Sequence, residues 1–116
     1  MIEIIKTPGK HIPYTTVGNT LVLGDNDLGI NLKNREKDEL VTIDVCKDKN
    51  GELTMGTAAG LLYAAEIEIP ARRYTETEEK NPDYKEGGME SEYITKRSPV
   101  PFDIDDCTIR LWGLEE

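Results

Sequence analysis

Between Leu61 and Ile69 the chain alternates with period two: Tyr63, Ala65, Ile67 and Ile69 fall on one side, Ala64, Glu66 and Glu68 on the other. An extended strand sends successive side chains to opposite faces, so this segment reads as a strand with one face in a core. It stops at Pro70. Proline has no N–H to give to a ladder, and that ending fits an edge strand or a bulge.

The same period recurs elsewhere. Val41, Ile43 and Val45 alternate with Thr42 and Asp44, and Asp48-Lys49-Asn50-Gly51 then supplies turn chemistry. A two-residue Asn-Gly turn would set Val45 opposite Gly56. A three-residue loop with Gly51 left-handed after a type I turn sets Val45 opposite Met55. The second register is preferred, because it pairs apolar with apolar on one face. Thr20 to Leu23 and Leu28 to Leu32 flank Gly24-Asp25-Asn26-Asp27 and read as another hairpin. Met1 to Lys6 reads as a first strand, and Cys107, Ile109 and Leu111 mark a last one whose other face Trp112 partly covers. Asn34 to Glu39 has room for one helical turn, and Gly56 to Gly60 reads as a loop or a point of close backbone approach.

From Ala71 to Phe102 the composition shifts to charges, tyrosines, Gly87-Gly88 and the prolines Pro99 and Pro101. Two readings compete: a disordered acidic loop, or a long hairpin arm in which Arg72 to Thr77 pairs with Ser91 to Arg97 and the tip spans Asn81 to Glu90. In the second, Tyr74, Thr75 and Thr77 face Tyr93, Ile94 and Thr95, all β-favouring types. The fold class expected is all-β: a single antiparallel β-sandwich or small open barrel over residues 1–116, with a charged hairpin arm or mobile loop at 71–102 inserted in it. At 116 residues a chain can bury about two-thirds of its unfolded surface, so it needs no metal or cross-link to hold a core.

Catalytic chemistry is hard to assemble from this inventory. His11 is the sole histidine and lies beside Pro13 in a turn-like stretch, so a nucleophile–histidine pair has no other base to use. Ser91 and Ser98 are the only serines, and neither sits in a nucleophile elbow. Asp25, Asp27, Asn31 and Glu36 fall on four ligand places of an EF-hand loop, but Gly29 gives no ligand at the fifth place and Ile30 replaces the glycine the sixth requires. A hairpin turn is the simpler reading. Asp103, Asp105 and Asp106 read as solvated residues before a strand, and Gly56 and Gly60 lack the Gly-Lys-Ser/Thr of a phosphate loop. Cys46 and Cys107 are far apart and lack C-x-x-C spacing, so they read as buried thiols, with a mutual disulfide as the alternative. No cofactor or metal is expected. A glycosidase-type carboxylate pair depends on spatial separation, which sequence spacing does not test.

The net charge of -9 opposes a phosphate-backbone binder, which needs a basic stripe, and favours solubility and basic partners. Met1 to Lys6 has an acid within a short apolar run and no cationic flank, so it does not read as a signal peptide. No apolar stretch approaches the roughly 20 residues that cross a bilayer. Tyr74, Tyr84 and Tyr93 sit in the most charged third of the chain, near Arg72, Arg73 and Arg97. Tyrosine with arginine is the composition of interface anchors, and these six are the candidate protein-binding residues. The competing reading is that the rings merely cover the arm's own aliphatic stems.

Ile4-Ile5-Lys6-Thr7-Pro8, Val41 to Val45, Glu66 to Arg72, a charged insert, and Val100-Pro101-Phe102-Asp103 leading to Thr108 to Trp112 resemble small uncharacterised proteins of bacterial phages and prophages. The resemblance runs in order over nearly the whole chain but rests on strand patterns. It implies a setting and no activity: a virion-associated or late-gene context, located in the cytoplasm of a bacterial host or in the particle. The expected function is non-catalytic assembly with protein partners, including other copies of the chain, without direct contact with nucleic acid or membrane. The alternative is an acidic inhibitor or host-interaction protein that occupies a basic nucleic-acid-binding groove.

Overall fold

The computed structural model describes residues 1–58 and 60–114, and they are mostly strand with almost no helix. Ten strands follow in order: β1 (Ile2–Ile5), β2 (Tyr14–Val17), β3 (Thr20–Leu23), β4 (Leu28–Asn31), β5 (Val41–Lys47), β6 (Leu53–Met55), β7 (Leu62–Ile69), β8 (Tyr74–Lys80), β9 (Tyr93–Pro99) and β10 (Thr108–Leu111). They form a five-stranded sheet in the order β1-β10-β7-β5-β6, a three-stranded sheet β2-β3-β4, and a two-stranded ladder of β8 with β9. Single 3₁₀ turns occupy Lys33–Arg35 and Ile104–Asp106.

The alternation at 61–69 places Ala65, Ile67 and Ile69 fully inside, opposite Val45, Ile43 and Val41 on one side and Leu111 and Ile109 on the other. β7 is therefore the centre of its sheet, not an edge. Pro70 is tolerated because it follows the last ladder pair, Ile69 with Val41, where no N–H is needed. Leu21, Leu23, Ile30 and Leu32 join Ile43, Val45, Ile67, Ile69, Ile109 and Leu111 in one apolar cluster, so the three-stranded and five-stranded sheets share a core.

The Asp48–Gly51 turn takes the three-residue form. The Gly51 N–H donates to the Asp48 carbonyl (3.0 Å), Gly51 has φ +78°, and Val45 lies opposite Met55. The packing inference holds only in half: Val45 is sealed, whereas Met55 lies on the short edge strand β6 and is exposed. The β3–β4 hairpin closes through Gly24 to Asp27, with Leu23 opposite Leu28.

Two features depart from the sequence-based reading. First, β1 pairs with β10 in parallel, so the five-stranded sheet is mixed rather than antiparallel. These strands come from opposite ends of the sequence, and no local turn dictates their relative direction. Second, Tyr14–Val17, for which no element was expected, is a strand hairpinned to β3 through Gly18 and Asn19, with Gly18 at φ +59°. Glycine first in a two-residue loop suits the strand twist, and Gly-Asn between Val17 and Thr20 was the readable signal.

Cys46 and Cys107 are free and buried. A register shift between Val45 and Cys46 lets both neighbours be buried, and Gly60 covers Cys46 so closely that a Cβ there would lie 2.7 Å from the cysteine Cβ. Burial pushes the Cys107 thiol up to about 11 from an ordinary value near 9, and Asp106 adds to the shift. The fold thus favours the neutral thiol, a contribution present in full below pH 9 and lost as pH rises through about 11. The urea midpoint is expected to fall over that range, and to fall less in Cys107→Ala.

Candidate protein interface

The six candidate residues lie on or beside the β8–β9 ribbon, and the structure separates them into a root, a shaft and a tip. At the root, Arg72 reaches back across the 36–38 segment. Its Nε donates to Glu36 Oε1 (3.2 Å), one terminal nitrogen to the Glu36 carbonyl (3.1 Å) and the other to Asp38 Oδ1 (3.3 Å), while its own N–H bonds the Lys37 carbonyl (2.7 Å). The Tyr74 hydroxyl also donates to Asp38 Oδ1 (2.5 Å). Arg73 pairs instead with Asp106 Oδ2 (2.5 Å), just before β10. Hydrogen bonds to Tyr74 and Glu36 raise the pKa of Arg72 and outweigh its desolvation.

The polar ends of Arg72, Arg73 and Tyr74 are thus engaged within the molecule. Arg97 lies 4.2 Å above the Tyr74 ring, so this tyrosine covers an arginine of the ribbon's other strand. Arg72→Ala is expected to loosen the root of the ribbon, because its bonds to Glu36, Asp38 and the Glu36 carbonyl are lost together. Limited proteolysis between residues 75 and 98 should speed up in that variant, before any change in the far-UV spectrum.

Along the shaft the register differs from the expected one. Tyr74 faces Pro99, Glu76 faces Arg97, Thr77 faces Lys96, Glu79 faces Ile94 and Lys80 faces Tyr93. The ladder runs three residues past Thr77 because a backbone bond from Asn81 N–H to the Glu92 carbonyl (2.7 Å) closes it close to the tip. Tyr74, Arg97 and Tyr93 share one face by the strand alternation, with Glu76 and Glu78 between them. Lys96 and Glu79 pair on the opposite face (3.4 Å).

At the tip, Asn81 organises the turn: its side chain accepts from the Asp83 N–H (2.9 Å) and donates to the Ser91 carbonyl (3.0 Å). Tyr84 is half-buried there, Tyr93 is exposed, and the open dimple of Pro82, Lys85 and Met89 leaves the methionine entirely in solvent. Met89 and Ile94, both exposed apolar residues in a charged tract, were not among the sequence's interface candidates. Residues 71–102 hold seven acidic and six basic side chains, leaving sixteen acidic against eight basic in the remainder. The ribbon is charged but nearly balanced, and the body carries the acidity.

Elsewhere several ionisable groups are tied to one another. On the outer face of the five-stranded sheet Arg110 bridges Glu66 (3.0 Å) and Glu68 (3.2 Å). The Tyr63 hydroxyl donates to Asp44, and burial together with that bond raises its pKa. Trp112 meets the Tyr63 ring edge-on at 4.6 Å. Asp25 and Asp27 belong to the hairpin turn, the Asp27 carboxylate accepting from the Asp25 N–H (3.2 Å). Asp103 caps the turn before β10 by accepting from the Asp105 N–H (3.0 Å), and His11 Nε2 donates to the Thr7 carbonyl (2.7 Å). Among the described residues no group of three or more His, Cys, Asp or Glu is placed to hold a metal ion. No helix among them is long and apolar enough to cross a membrane. No family model, curated protein or solved structure matches the chain.

Proposed function

We propose that the chain is a mostly antiparallel β-sandwich with a protruding hairpin arm, acting as a non-catalytic assembly module in a phage or prophage particle. The observation that carries this reading is the β8–β9 ribbon. Among the described residues it pairs with no other strand, and it holds to the body at its root and contributes to a molecule 75 Å long and only 24 by 23 Å across. A ladder that adds little to the core and carries Tyr93, Ile94 and Met89 in solvent has the composition of a contact surface. Its partners are other proteins, including further copies of this chain.

Light scattering over a concentration series, at low and high salt, tests the proposal. Association that resists salt and weakens in a Tyr93→Glu/Ile94→Glu variant is expected. A strict monomer whose ribbon is cut by protease as fast as an unfolded peptide would remove the self-assembling version. A second reading is favoured by the sixteen acidic against eight basic residues outside the ribbon: an acidic inhibitor seated in a basic nucleic-acid-binding groove. That reading predicts capture of a nucleic-acid-binding protein, lost in high salt and competed away by DNA or RNA.

A further inference from the structure

β1 lies at the edge of the five-stranded sheet, and among the described residues it pairs with β10 alone. The Ile2 N–H donates to the Cys107 carbonyl (2.8 Å) and the Lys6 N–H to the Leu111 carbonyl (2.8 Å). In a parallel ladder alternate residues turn both backbone groups to the same neighbour. Ile2, Ile4 and Lys6 therefore serve β10, and the N–H and C=O groups of Glu3 and Ile5 point outward from the sheet. Edge strands are commonly blunted by proline, a bulge or a lysine within the strand. β1 has neither proline nor bulge; it is short, with Glu3 inside it and Lys6 at its end, and it exposes Ile2 (51%), Ile4 (39%) and Ile5 (48%).

We propose that β1 pairs with β1 of a second copy of this chain, antiparallel about a two-fold axis at Ile4. Residues that exchange two backbone bonds across an antiparallel ladder must both point outward, which limits the register to three choices. Glu3 opposite the second copy's Glu3 sets two carboxylates against each other. Ile5 opposite Ile5 pushes Glu3 against Thr7, beyond the end of the strand, and sets Ile4 against Lys6. Glu3 opposite Ile5 uses every outward backbone group of both residues, stacks Ile4 on Ile4 and lays Ile2 along the Lys6 stem. In this register the strand is its own complement: exposed apolar side chains meet their own kind or an aliphatic stem, and no like charges stand directly opposed. A foreign strand would gain the same backbone bonds without that side-chain match. The two five-stranded sheets become one continuous sheet. Such a contact buries less than the roughly 1,000 Å² of a stable interface, so the dimer is a reversible one.

The pairing uses residues outside the ribbon and does not rest on the function proposed above. Opposed residues of the non-hydrogen-bonded kind have Cα atoms about 4.5 Å apart, within reach of a disulfide. Because Cys46 and Cys107 are buried, an added surface thiol reacts alone. Under mild oxidation Ile4→Cys should form covalent dimer about tenfold faster or more than Val17→Cys on exposed β2, since pairing raises the local thiol concentration. Equal rates would overturn the pairing. A second variant, Ile4→Lys, opposes two ammonium groups at the axis. Sedimentation equilibrium should then lose the concentration-dependent dimer while the melting temperature stays near wild type, and an undiminished dimer would also overturn the proposal. Tyr93→Glu/Ile94→Glu leaves the Ile4→Cys cross-link intact, so failure of the ribbon proposal and failure of this one are told apart.

Discussion

Ile67→Ala is expected to lower the free energy of unfolding by about 2–5 kcal/mol, the range for truncating a fully buried aliphatic side chain. Ile67 has no exposed surface and lies on the central strand between Ile43 of β5 and Ile109 of β10. Its neighbours are held by two ladders, so the sheet has little freedom to close over the lost atoms, and the cost should fall in the upper part of that range. A domain of this size has about 5–15 kcal/mol in all, and the melting temperature should drop by about 10 °C or more. Thermal unfolding followed by circular dichroism checks this. A change under about 1 kcal/mol would mean that β7 is not the centre of the core.

Gly113→Ala should be of similar size for the opposite reason. A Cβ at Gly113 would lie 1.9 Å from the Pro8 carbonyl oxygen and 2.8 Å from its carbon, and both are backbone atoms. The segment after β1 is fastened there by the Gly113 N–H to Thr7 Oγ1 (2.6 Å) and by backbone bridging of Lys10 to Leu114. Alanine must push that segment away, and overpacking costs about 1–3 kcal/mol, more where rigid backbone rather than a flexible side chain is displaced. Hydrogen exchange should show faster opening of the Thr7–Lys10 stretch and of β1 than of β7, because the displaced bonds fasten the former directly.

What the sequence discloses here depends on how far a signal reaches along the chain. The Asp48–Gly51 turn is readable because four consecutive residues set its type and a glycine supplies the left-handed step, with φ +78° at Gly51. The strand at 62–69 is readable because its alternation is internal. Whether Pro70 ends an edge or a central strand is not readable, since that turns on Val41 and Ile109, partners dozens of residues away. Parallel pairing of Ile2 with Thr108 is beyond any local rule for the same reason.

The candidate interface shows the same limit. Composition drew attention to Arg72, Arg73 and Tyr74, yet each is answered by a carboxylate brought in from another segment: Glu36, Asp106 and Asp38. Their chemistry fixes where the ribbon springs from. Tyr93 stays exposed because the sequence puts Lys80 rather than an apolar side chain opposite it. Met89 was legible as an isolated apolar residue in a polar tract, but an isolated residue gives no period to detect.

Charge is divided unevenly along the molecule's length, and that bears on how two of them meet. With the protruding arm proposed above, the globular ends repel one another in dilute buffer beyond contact, over a screening distance of about 10 Å at 0.1 M salt, while the arms, nearly neutral, feel little. Approaches tip to tip are therefore favoured over approaches sheet to sheet. Joining two first strands edge to edge requires the disfavoured approach, so that dimer should tighten, not loosen, as salt is added.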